Sequence, residues 1–103
     1  HWLVLLIAVV KVGVAIPFFE EFFFRGIVQS TLARTLSPAV AIAVASAIFA
    51  TAHFTQPQAV PSIFLLSLGL GYVFYRSQSL VAPWIMHSLF NSGFVLVHWL
   101  GAD

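Results

Sequence analysis

Six polar side chains stand inside otherwise apolar sequence: Glu20, Glu21 and Arg25 in FFEEFFFRG, His53 in FATAHF, and His87 with Asn91 in MHSLFN. A carboxylate, two imidazoles and an amide, if they gather in one site, can carry out peptide hydrolysis. The carboxylate takes a proton from a water that attacks the scissile carbonyl, and an imidazole positions that water or carries its proton onward. Imidazole and amide N–H groups hold the oxyanion of the tetrahedral intermediate, each worth about 3–4 kcal/mol in a water-poor cavity. On this reading Glu20 is the base, His53 its partner at the water, and His87 and Asn91 the oxyanion donors.

Spacing divides the two acids. Glu21 and Arg25 are i and i+4 with the acid nearer the N-terminus, the favourable order for an ion pair. Glu20 is turned about 100° around the helix and is left to face other helices. His87 and Asn91 share one face at i and i+4, and Phe49 stands one turn before His53. A metal stays open: Glu20, His53 and His87 would supply the carboxylate and two imidazoles of a catalytic zinc-like site, with Asn91 behind them. The paired signature H-E-x-x-H is absent, nothing in the spacing requires a metal, and the metal-free reading is preferred.

The elements that position these residues belong in lipid. Of 103 residues 61% are hydrophobic and 7% charged, with mean hydropathy +1.05, whereas soluble domains carry about 25% charged residues. In hydrocarbon the backbone must bond within its own segment, which predicts helices throughout. An ionisable group at the bilayer centre costs at least about 2.5–3.5 kcal/mol, so a buried one needs a partner or a purpose. There is no cysteine, which excludes disulfides and thiolate metal sites. A net charge of +1 without a basic run gives no reason to expect nucleic acid. The start at His1 rather than Met reads as an excised piece of a longer membrane protein, with residues 1–103 forming a single domain.

Apolar stretches run over 2–16, 18–33, 38–54, 61–75 and 81–100, separated by Pro17 and by polar breaks at 34–37, 55–58 and 76–79. Pro38, Pro61 and Pro83 fit first helical turns, and Ser37 fits an N-cap. Pro17 either separates two helices or kinks one. The expected fold is an all-α polytopic transmembrane bundle of four or five membrane segments. Arg34 and Arg76 lie in loops two crossings apart, and the positive-inside rule puts both in the cytoplasm. Glu20 lies 14 residues before Arg34 and His53 15 after Pro38, both roughly 21–23 Å from that end. Asn91 and His87 fall roughly 18 and 12 Å deep by the same rise from Ser79. Three helices thus bring polar groups into one broad layer.

Three ordered motifs carry a resemblance. EEFFFR fits EExxxR, Phe49–His53 fits FxxxH and His87–Asn91 fits HxxxN; Gly26 and the run LGYVFYRSQSLVAPWIMH fit as well. Over about 17–91 the sequence resembles the CPBP family of intramembrane proteases, which includes the type II CAAX prenyl endopeptidases and bacteriocin-processing or immunity proteins. The resemblance implies an intramembrane endopeptidase acting on membrane-associated peptide or protein substrates, prenylated CAAX-type ones in one branch. It implies the same roles for Glu20, His53, His87 and Asn91. Lys11 fits no motif.

Blander readings stand beside these. Glu21 with Arg25 reads first as a structural pair, and His87 with Asn91 also reads as helix-packing glue. Ala43, Ser46, Ala47 and Ala50 are spaced for close helix approach, and His98 beside Trp99 reads as a membrane-interface residue. Two other functional classes compete: an immunity or abortive-infection protein binding a partner through the same fold, and a proton or ion pathway, which leaves the His87/Asn91 pair without a use.

Overall fold

The computed structural model describes residues 1–101 and is helical almost throughout, with no strand among them. Helix α1 spans Trp2–Leu32, α2 Pro38–Thr51, α3 Val60–Ser77 and α4 Val81–Trp99. The expected five stretches become four helices because Pro17 does not divide α1. Proline at a helix interior removes one N–H and crowds the preceding turn. Here the backbone takes up the difference by widening into π-helical turns at Val9–Ala15 and Phe22–Gln29, on either side of a short α-helical piece, Ile16–Glu21.

Local chemistry sets the other boundaries. The Ser37 hydroxyl accepts from Val40 N–H at 3.3 Å and Pro38 opens the first turn of α2. A turn and one 3₁₀ turn at Pro57–Ala59 lead into α3. That helix closes on Gln78, which takes the left-handed conformation (φ 54°) and returns its N–H to Phe74 O at 2.8 Å. Trp2–Leu32 and Pro57–Ser77, 31 and 21 residues long, are long and apolar enough to cross a membrane. Helix α2 has only 14 residues. Helix α4 has 19, but His87, Asn91 and His98 dilute its apolar character.

Burial is inverted relative to a water-soluble protein. The outward surface carries large apolar side chains such as Trp2, Phe19, Leu65 and Leu89, while Glu21, Arg25, Gln29, Ser46, Ser67 and His87 are buried. Helix α2 lies against α3 and the second half of α1, and α4 lies against the first half of α1. The face of α2 that packs is Ala41, Ile42, Ala45, Ser46, Phe49 and Ala50. Ala43 and Ala47, expected in the packing stripe, face outward instead. The segment is apolar all round, so its sequence did not orient it.

Candidate active site

The six polar residues come from three elements. Glu20, Glu21 and Arg25 sit where α1 passes from its α-helical piece into its second π-helical stretch. His53 lies just past the end of α2, and His87 and Asn91 lie midway along α4. Glu20, His53, His87 and Asn91 all line one cavity of about 450 Å³. Phe49, Phe90 and Phe94 wall it on the apolar side, and Gln56 and Ser62 lie toward the α2–α3 turn.

Behind this cavity runs a chain of contacts. Arg25 Nη2 donates to the carbonyl and the hydroxyl of Ser67, at 3.0 and 2.8 Å. Its Nε faces Glu21 Oε1 at 3.2 Å across a fully buried ion pair, and its guanidinium carbon sits 5.3 Å from the centre of the Phe49 ring. The other Glu21 oxygen accepts from His87 Nδ1 at 2.7 Å. The opposite ring nitrogen, Nε2, faces Glu20 Oε1 at 3.4 Å. The imidazole is therefore held between two carboxylates, one neutralised from behind by arginine and one open to the cavity. An acid and a base fixed on each other in a dry surround hold their geometry only while every member has its partner.

Two side-chain orientations follow from acceptors that cannot donate. Phe49 O takes His53 Nδ1–H at 2.8 Å, leaving Nε2 as the free nitrogen of a neutral His53 ring. The Asn91 amide places Nδ2 against Val12 O at 3.1 Å, which fixes its flip, since only the NH₂ end can donate to a carbonyl. His98 lies apart from this cluster, with Nδ1 on Phe94 O at 2.9 Å on the exposed surface. Lys11 is exposed on α1.

A zinc-like site would draw on Glu20, His53 and His87, all on the wall of this cavity. Among the described residues no three His, Asp or Glu side chains gather as metal ligands. His87 turns Nδ1 to Glu21 at 2.7 Å and Nε2 to Glu20 Oε1 at 3.4 Å, so Nε2, on the cavity side, is the nitrogen that would serve a metal, with Nδ1 held by a carboxylate.

The sequence reading missed the supports. Gln29 Nε2 donates to Gly71 O at 3.1 Å, one helical turn beyond the Arg25–Ser67 contact and at the same 42-residue offset. Two clamps in equal register mean that α1 and α3 run parallel. The signal was available as SLGLG, residues 67–71, where small side chains allow close approach in apolar sequence. Trp84 Nε1–H also donates to Val14 O, at 3.0 Å.

Neither the curated proteins nor the solved structures give a match to this chain. One family model does, that of the type II CAAX prenyl endopeptidase Rce1-like proteins, over residues 2–93. The match runs from α1 into α4 and includes Glu20, Glu21, Arg25, His53, His87 and Asn91. With its apolar helices and its membrane-protease motifs in order, the chain belongs to the Rce1-like type II CAAX prenyl endopeptidase family.

Proposed function

We propose that the protein is an intramembrane endopeptidase that hydrolyses peptide bonds of membrane-associated substrates, CAAX-type prenylated ones among them, with Glu20, His53, His87 and Asn91 as its catalytic residues. The observation that carries this reading is that these four side chains, from three separate elements, line one cavity of about 450 Å³. That volume lies within the range of about 300–1,000 Å³ in which pockets enclose small ligands.

The proton bookkeeping follows from the contacts. Arg25 balances Glu21. An ionised Glu20 is then balanced by a proton on His87 Nε2, because Nδ1 already donates to Glu21. Glu20 takes one proton from water as the water oxygen bonds to the carbonyl carbon. His87 Nε2–H and the second Nδ2–H of Asn91 donate to the oxygen that becomes negative. When the intermediate collapses, the C–N bond breaks and the amine leaves with the proton that Glu20 received, His53 Nε2 lying on the same cavity to pass it. Water is consumed, and a carboxylic acid and an amine result, which the passage of the acid proton to the amine turns into carboxylate and ammonium. No step uses a metal.

In the same reading the chain is a multi-pass protein of the cytoplasmic membrane with the Arg34 and Arg76 loops in the cytoplasm. The test is Glu20→Gln in purified full-length protein, assayed on an internally quenched farnesylated CAAX-type peptide. Turnover should fall by about 10²–10⁴-fold with the helical spectrum unchanged, and undiminished cleavage removes Glu20 from its role. Exhaustive chelation with metal analysis should leave activity intact; activity lost on chelation and restored by zinc refutes the metal-free scheme.

A further inference from the structure

The first π-helical stretch of α1 has a chemical cause and a chemical recipient. At its end Ile16 N–H donates to Lys11 O, five residues back. The next bond in that register would run from the N–H of residue 17 to Val12 O. Residue 17 is proline, which has no N–H. Val12 O is thereby left without its backbone donor in a segment where an orphan carbonyl is costly. Asn91 Nδ2, from α4, fills that vacancy at 3.1 Å.

We infer that Pro17 is a positioning residue: by withholding one backbone N–H it frees Val12 O to anchor the Asn91 amide in the flip and place from which its second N–H reaches the cavity. Pro17 is buried, about one turn before Glu20, and has no part of its own in the scheme above; it acts through Val12 and Asn91. Gly13, next to Val12, lets α4 come close, since a Cβ there would collide with Ser92 Oγ. π-Turns of this kind recur at functional sites, and here the widened turn exposes the carbonyl that the amide needs. Restoring an N–H at position 17 gives Val12 O a backbone donor and leaves Asn91 free to rotate.

The inference rests on the catalytic reading of Asn91, and a double-mutant cycle separates the two. Full-length wild type, Pro17→Ala, Asn91→Ala and the double variant are compared by thermal unfolding in detergent and by turnover of the quenched farnesylated peptide. Pro17→Ala should lower kcat roughly tenfold or more with little change in KM, and should add nothing once Asn91 is alanine. Effects that simply add, in unfolding and turnover alike, overturn the proposal. Coupling in unfolding together with normal turnover by Asn91→Ala also overturns it, leaving a packing contact and withdrawing Asn91 from the catalytic set. A measurement on wild type covers a Pro17→Ala protein that fails to fold. Asn91 is the one asparagine in the 103 residues, so ¹⁵N-asparagine labelling reports its side-chain amide, assigned by its loss in Asn91→Ala. Slowed exchange of one of its two protons is expected, and two freely exchanging protons refute the anchor.

Discussion

Helix α1 contains two π-helical stretches, and they are used in opposite senses. Along Val9–Ala15 the helix offers backbone carbonyls, and α4 supplies the side-chain donors: Asn91 to Val12 O and Trp84 to Val14 O. Along Phe22–Gln29 it offers side chains, and α3 supplies the carbonyls: Arg25 to Ser67 O and Gln29 to Gly71 O. The first stretch has no charge beyond exposed Lys11 and holds a residue of the cavity. The second buries an arginine and braces the acid that grips His87. In both, a side chain of one helix satisfies a backbone carbonyl of the other. They differ in what fails when they are broken: the second should lose the fold, and the first should lose the chemistry.

The largest expected effect lies in the second stretch. Arg25→Ala leaves Glu21 buried and uncompensated, which costs about 3–5 kcal/mol; SDS-titrated unfolding followed by circular dichroism would register it as a shifted midpoint or as failure to accumulate. Next come two glycines that set the contrast directly. A Cβ at Gly71 would meet Gln29 Oε1 at 2.7 Å and Ile42 Cγ2 at 3.0 Å, so Gly71→Ala should lose about 1–3 kcal/mol of stability through overpacking while turnover per folded molecule holds. Gly13→Ala should lose about as much stability and, by pushing Ser92 and its helix away, a further share of turnover that Gly71→Ala retains. Equal turnover in the two alanine variants at matched stability would erase the distinction between the stretches. The smallest effect belongs to Trp84→Phe, which keeps the edge-on packing with Phe18 at 5.1 Å but drops the N–H to Val14 O. About 0.5–1.5 kcal/mol is expected, read from the same unfolding titration, with catalysis intact.

Much of this was legible beforehand because the polar residues are few and the surroundings are uniform. With 7% charged residues, each acid or histidine inside an apolar run stood out, and i,i+4 spacing fixed which neighbours shared a face. Helical structure followed from composition alone. What could not be read was rotation. That Glu21, not only Glu20, faces His87 depends on how α4 turns relative to α1 across 66 residues of chain. Nothing local encodes it. The outward facing of Ala43 and Ala47 was hidden for the same reason, since a helix apolar on every side carries no polar stripe to mark its exterior. Pro17 was read as a break or a kink because proline usually interrupts a helix; a wider turn, rescued by an amide from another helix, is a third outcome that needs the tertiary contact to exist.

Helix α2 is short for its surroundings. Fourteen residues reach about 21 Å, against a hydrocarbon slab of about 30 Å, and mismatch of that kind costs lipid a fraction of a kcal/mol for each ångström. Gln56 and Ser62 lie on the cavity wall beside the turn that follows α2, so the end of the bundle where this helix falls short is also the end that offers polar side chains on the wall shared with Glu20.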